Sequence, residues 1–301
     1  MDRRRFLAGS ALCCATLSPA LSRPARAAAP PRIASTDWAA AESLLALGVV
    51  PLGVAETATY RQWLPDPALP AEVDDLGSRA EPNLELLAGL APERIFVSNW
   101  QTGLVPLLGR IAPVQTVTII DGRGDALGNA RAALTQIGET TGRQLQAQAC
   151  LDAFDADLAR SGDRLAGRLS RPVYVGVLHE NGTQLFLYGP GSWVHDLMLR
   201  LGLRNALKRP TSAFGNALVD IAELADSPDA ILLYLDQGAR TRRAERALAG
   251  SSLWRMLPMV REGRVRAIPP FYALGGLPSV LRTLTVLDAA LGGEAGRRLD
   301  G

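Results

Sequence analysis

Short apolar runs alternate along the chain with stretches of helical period, the pattern of α/β units. Ile33–Ser35 reads as a first strand, Asp37 as an N-cap, and residues 38–47 as a helix stopped by Gly48. Residues 49–55 read as the next strand. The pattern then breaks into Tyr60-Arg61-Gln62-Trp63 followed by Pro65, Pro67 and Pro70, which predicts an irregular loop long enough to be functional. Over residues 76–87 Gly77 marks a turn, Pro82 suits the first position of a helix, and Leu84, Leu87 and Leu90 share one face. Arg79 is thereby placed on a loop just ahead of a helix. A loop arginine held between rigid elements suits an anion, although a solvated surface arginine fits the same residues.

Further on, Arg94–Ser98 reads as a buried strand, and Asn99-Trp100-Gln101-Thr102-Gly103 as the loop at its carboxyl end. Open α/β sheets form their ligand crevice from such loops, which makes Trp100 a wall candidate. A short helix over 104–110 and a strand over 117–120 lead to Asp121-Gly122-Arg123-Gly124-Asp125. These glycines are spaced one residue off the dinucleotide fingerprint, and no clean strand ending in an acid follows, so the turn reads as a helix entry. Residues 127–165 are nearly continuous helix, with Gly138 and Gly142 as candidate breaks. One long helix between two α/β halves predicts small lobe motions.

The second half begins anew with Val173–Leu178, then Asn181-Gly182, then Gln184–Tyr188, a strong hairpin signal. Ser192 caps a helix ended by Gly202, and a loop over 208–216 carries Phe214. After the strand Ile231–Leu235, the strand over 264–268 exits into Pro269-Pro270-Phe271-Tyr272-Ala273-Leu274-Gly275-Gly276, and Pro278 opens the last helix.

The amino terminus changes how the composition is read. Met1-Asp2-Arg3-Arg4-Arg5-Phe6-Leu7, a moderately apolar run and Ala25-Arg26-Ala27 form an export signal of the twin-arginine type, with an apolar run too short to span a bilayer. Residues 1–27 hold five of the 32 basic and one of the 30 acidic residues, which leaves 27 against 29. The mature chain is therefore close to neutral and offers no electrostatic case for nucleic acid. Cys13 and Cys14 lie within the signal, so Cys150 alone remains and no internal disulfide forms. The mature length is ample for two lobes with separate cores.

Two histidines limit the chemistry: His179 leads into the hairpin turn and His195 sits in a first helical turn. There is no H-E-x-x-H or C-x-x-C, and Ser192 lacks the G-x-S-x-G frame. Numerous carboxylates leave an acid-pair enzyme open. Aromatic residues are only 5% of the chain, yet Trp63, Trp100, Phe214 and Tyr272 fall in crevice loops, with Trp38 near a strand end. Together with Arg79 they describe an aromatic pocket with one cation, suited to a bulky ligand bearing oxygen anions.

The segments S-L-L-A-L-G-V-V-P-L-G-V-A-E-T, Tyr60-Arg61-x-Trp63, L-G-S-R-A-E-P-N-L-E-L-L, R-I-A-P at 110–113, and G-P-G-S-W with the later L-G-L-R-N-A resemble the periplasmic substrate-binding proteins of iron–siderophore ABC importers, in particular those for ferric hydroxamates. The resemblance runs across the mature chain and is densest over residues 38–113. It implies an α/β fold of two lobes, each a mainly parallel sheet with flanking helices, joined by one long rigid helix, the class III binding-protein type. By position, Arg79 matches the family arginine on the iron-bound hydroxamate oxygens, and Trp63 a pocket tryptophan. Trp100 falls within a residue or so of a pocket tyrosine, Phe214 at a pocket tryptophan and Tyr272 at another aromatic. Leu274 departs from a family tyrosine that contacts the hydroxamate centre, which leaves another hydroxamate or a mixed-donor siderophore open.

The resemblance further implies no catalysis and no cofactor, because the chelator fills the iron coordination sphere with hard oxygens. It implies one acidic residue on each lobe for the permease: Glu85, with Glu81 beside it, on the first, and Asp220 or Glu223, flanking Ala222, on the second. The expected organisation is a signal over 1–27, an N-terminal lobe over 28–139, an interlobe helix over 140–166 and a C-terminal lobe over 167–301, acting as a periplasmic monomer. The alternatives are the same fold with a catecholate siderophore, haem or cobalamin, and an exported carboxylate-dependent enzyme.

Overall fold

The computed structural model describes residues 31–166, 170–292 and 297–298, the last pair as backbone only; the expected export signal lies outside them. The first sheet contains β1 (Ile33–Ser35), β2 (Gly53–Val54), β3 (Asp74–Asp75), β4 (Arg94–Ser98) and β5 (Val114–Val117). Its order is β3-β2-β1-β4-β5, and every pairing is parallel. The second contains β6 (Val173–Leu178), β7 (Gln184–Tyr188), β8 (Asn216–Asp220), β9 (Ile231–Leu235), β10 (Val265–Ile268) and β11 (Arg297–Arg298), in the order β11-β10-β9-β6-β7-β8. There β6, β8, β9 and β10 run one way and β7 and β11 the other.

Eleven α-helices among the described residues cover the sheets. They are α1 (Trp38–Ala46), α2 (Thr57–Trp63), α3 (Leu84–Gly89), α4 (Val105–Leu108), α5 (Ala126–Thr141), α6 (Gln144–Leu165), α7 (Trp193–Arg200), α8 (Ala239–Ala249), α9 (Ser252–Met256), α10 (Pro258–Arg261) and α11 (Leu277–Gly292). None is long and apolar enough to cross a membrane.

Several elements depart from the sequence reading for identifiable reasons. The expected strand over 49–55 shrinks to β2, because Val49 N–H bonds back to the Leu44 carbonyl (2.9 Å) and Pro51 has no N–H for a ladder. The expected loop at 60–63 is the end of α2, whose start is fixed by a partner remote in sequence. The Asp75 carboxylate accepts from both the Thr57 N–H (3.1 Å) and its hydroxyl (2.8 Å). Pro82 does not open a helix; it bridges to Gly77, and Asn83 caps α3 by accepting from Leu86 N–H at 3.0 Å. The strand expected at 117–120 lies earlier, as β5. Side-chain amides take the place of a ladder beyond it, Asn129 donating to the Ile119 carbonyl (3.1 Å) and Asn99 to that of Ile120 (2.9 Å).

The long helical stretch is two helices broken at Gly142, which takes φ 67° while Arg143 N–H closes on the Gly138 carbonyl at 2.7 Å. Gly138 is no break. A β-carbon there would lie 2.7 Å from the Ala147 methyl, so its smallness lets α5 lie against α6. The helix-entry turn and the hairpin form as read. Asp125 accepts from Gly128 N–H (3.0 Å), and Asn181 accepts from Thr183 N–H (3.0 Å) beside Gly182 at φ 67°.

Each lobe has a core of its own, with Ile95, Val97 and Leu108 in the first and Leu185, Leu232 and Trp254 in the second, and a further cluster of buried side chains runs through both sheets. It joins Ile33 and Phe96 of the first to Val173 and Leu233 of the second by way of Leu134, Phe154, Trp193 and Leu284. One buried polar contact accompanies it. Glu42, fully buried on α1, accepts from the Ser279 hydroxyl (2.8 Å) and from Gly276 N–H at the start of α11. Burial pushes its carboxyl well above the usual range, against the opposing pull of these hydrogen bonds. At Gly276 a β-carbon would meet the Ala39 carbonyl at 3.0 Å and the Ser43 hydroxyl at 2.7 Å, so a larger residue would push the helices apart. Glu42→Ala strands two donors in a dry contact and is expected to cost about 2–4 kcal/mol in urea unfolding. Glu42→Gln keeps an acceptor and should lose less than half of that.

Candidate functional site

All strands of the first sheet are parallel, so their carboxyl ends share one edge, and the residues leaving β1, β2, β3 and β4 emerge together. Those residues include Asp37, Glu56, Arg79 and Trp100. Opposite them stand Tyr188 and Asn216 from paired strands β7 and β8, Gln237 beyond β9, and Phe271 to Leu274 beyond β10. Between the two groups lies a cleft of about 410 Å³.

Five of the six expected ligand residues line this cleft: Trp38, Trp63, Arg79, Phe214 and Tyr272. Trp100 lies in a small adjoining recess with Asp37 and Asn99, which shares Phe214, Tyr272 and Leu274 with the cleft. Phe214 and Trp100 are about half exposed, at 48% and 45%, so each presents a broad apolar face at the rim. The family tyrosine position, Leu274, lines both spaces with an aliphatic side chain.

Arg79 is held on every side but one. Its backbone N–H and its Nε each donate to a Glu56 carboxylate oxygen at 3.0 Å. Its Nη1 donates to the Tyr272 hydroxyl at 2.9 Å, and its guanidinium stacks on the Trp38 ring at 3.7 Å. Nη2 has no hydrogen-bond partner among the described residues. The Arg79 carbonyl accepts from Gln101 Nε2 at 2.7 Å, and the Gln101 oxygen accepts from Ser98 N–H (2.8 Å) and the Thr36 hydroxyl (3.1 Å). This buried amide ties the Arg79 loop to β1 and β4.

Glu56 takes the left-handed conformation at φ 55°, ψ 50°, which costs a non-glycine residue about 1 kcal/mol. Its N–H bonds to the Gly77 carbonyl at 2.9 Å, and its side chain leaves the capping of α2 to Asp75 and reaches Arg79 instead. The strained backbone thus aims a carboxylate. Trp38 is pinned by its indole N–H on the Ala55 carbonyl (2.8 Å) and packs edge-on against Tyr60 and tilted against Tyr272. Burial raises the Tyr272 phenol, so its hydroxyl keeps its proton while accepting from Arg79.

Sequence reasoning missed Glu56, Gln101, Tyr188 and Gln237. All four had a positional signal, each standing at or just beyond the end of an expected strand. Gln237 lines the cleft, and its side-chain oxygen is buried without a hydrogen-bond partner among the described residues. Among the candidate docking acids, Glu81, Glu85 and Asp220 are exposed. Glu223 is occupied: it accepts from Asp220 N–H (3.0 Å) and pairs with Arg209 (2.6 Å). A larger cavity of about 630 Å³, lined by Cys150, Phe154 and Leu281, lies elsewhere and shares no residue with the cleft. Among the described residues no three His, Cys, Asp or Glu side chains are grouped to hold a metal ion.

A family model for periplasmic binding proteins matches residues 33–272. The chain is 34% identical to the iron(3+)-hydroxamate-binding protein FhuD of Escherichia coli over 98% of both chains. It is 25% identical to the Fe(3+) dicitrate-binding periplasmic protein FecB of the same organism, over 79% of this chain and 77% of that one. Its fold matches that of the Fe3+–Desferal-bound siderophore-binding protein FhuD of Vibrio cholerae with a TM-score of 0.81 at 29% identity, covering 88% of this chain and 99% of the other.

Asp37 carries a pH signature. Burial raises its carboxyl from 3.8 to about 6, against the lowering effect of the Ala40 amide and the Arg79 charge. The folded state therefore binds this proton more tightly than the unfolded chain, and stability falls as pH rises through the window from about 4 to about 6. Asp37→Asn keeps an N-cap acceptor without the ionisation. It is expected to gain about 1–3 kcal/mol at pH 7.5 and almost nothing below pH 4, as read by thermal unfolding at the two pH values.

Proposed function

The chain belongs to the periplasmic binding protein family, and from that membership we propose that it captures a ferric hydroxamate siderophore and delivers it to an ABC importer for iron uptake. The observation that carries this reading is the framed arginine: Arg79, stacked on Trp38 and answered by Glu56, among aromatic walls. A ferric trihydroxamate presents oxygen anions at its centre yet has no net charge, since three monoanionic groups balance the iron. Among the described lining residues Arg79 is the only cation, and it is already paired. One compensated cation suits a neutral chelate better than a trianionic catecholate complex, which calls for several. The likeness to proteins named for ferric hydroxamate and Desferal points the same way.

In this reading the twin-arginine signal exports a folded monomer to the periplasm, the lobes divide near the helix α6, and exposed Glu81 and Glu85 on one side and Asp220 on the other meet the permease. The iron is cargo held by the chelator. A carboxylate-pair enzyme is disfavoured, because Asp37 is the only carboxylate among the described lining residues.

Trp38, Trp63 and Trp100 make the test optical. Ferrichrome, as a neutral ferric trihydroxamate, is expected to quench tryptophan fluorescence at micromolar concentration or below; quenching by haem or cobalamin but by no hydroxamate would show the ligand to be wrong. Arg79→Ala should weaken ferrichrome binding by about 1.5–3 kcal/mol, the scale of hydrogen bonds to a charged group. Unaltered affinity in a folded variant would remove Arg79 from the site.

A further inference from the structure

We propose that Glu56 determines specificity by charge: its carboxylate cancels the cation of Arg79, so the cleft accepts neutral and cationic chelates and rejects anionic ones of the same shape. The inference rests on the reading of the cleft as a hydroxamate site and adds to it the rule by which chelates are sorted.

Three features separate this role from ordinary packing. First, Glu56 is spent on Arg79 alone. Both carboxylate oxygens accept from that residue, at 3.0 Å each, and neither caps α2, although Glu56 stands at its N-cap. Secondly, it holds a strained backbone to do so, at φ 55°, where glycine would sit without cost. Thirdly, it is the described carboxylate that hydrogen-bonds the guanidinium. Asp37, which also feels the Arg79 charge, belongs to the recess and spends its oxygen on the N-cap of α1. Arg79 and Glu56 remain 23% and 29% exposed in their side chains, so a charge carried by a bound chelate acts on them through a partly solvated medium.

An electrostatic role makes a prediction that a purely structural one does not. A ferrioxamine B charge ladder keeps one iron centre and one chelate frame while the pendant group changes: the free amine is cationic, the N-acetyl form neutral and the N-succinyl form anionic. The wild-type protein should bind the cationic and neutral forms more tightly than the anionic one. Glu56→Gln keeps an oxygen acceptor for Arg79 and removes the charge. It should shift the ratio of anionic to cationic affinities toward the anion by at least threefold at low salt, with the shift shrinking in 0.5 M salt. Glu56→Gly, which fits the left-handed backbone, should give the same shift if Glu56→Gln folds poorly. A ratio that stays constant, with binding unaltered, uniformly weakened or absent along the ladder in both folded variants, overturns the inference and leaves the hydroxamate reading intact. A wild-type protein that binds neither ferrichrome nor any rung of the ladder overturns that reading and this inference with it.

Discussion

The site depends on one geometric constraint, the parallel run of all five strands in the first sheet. Parallel strands cannot return within the sheet, so each crossover carries the chain back over a face and starts the next strand from the same side. Four successive strand exits then deliver an N-cap acid, a strained acid, an arginine and a tryptophan to one edge. No long-range search is needed to assemble them; the ladder does it. The second group, from the mixed sheet, has only to present aromatic faces across the gap.

Within that frame the polar design is economical. An arginine that cannot lose its proton is unsuited to an apolar cleft unless its charge is answered and its plane supported. Glu56 answers the charge, Trp38 supports the plane, Tyr272 reaches from across the cleft and Gln101 holds the loop from behind. Only one nitrogen is left over, and it is this remainder that a ligand can address.

Much of this was legible in the sequence, and the failures share a cause. Elements whose signals are local came out correctly: the Asp37 and Ser192 caps, the Asn181-Gly182 hairpin and the Gly48 and Gly202 helix stops. The aromatic residues of the cleft could be named because they stand near strand exits in a chain poor in aromatics, although Trp38 and Trp63 lie on helices α1 and α2. Failures arose where a remote partner decides. Asp75 starts α2 from another strand, and side-chain amides, not a ladder, hold Ile119 and Ile120. Glu56 lay in plain view beyond β2, but its meaning depends on a residue 23 positions away.

The shared core has a consequence for how such a protein can change. A hydrophobic cluster that runs without a seam from Ile33 to Leu233 cannot be cut at the interlobe helix and rejoined to half of a relative without exposing its middle. Exchange of whole lobes is therefore a poor route to a new cargo. The strand-exit loops of the first sheet are different: they carry Glu56, Arg79 and Trp100, none of which belongs to that cluster, so a few short turns can be varied on a frame inherited as one piece.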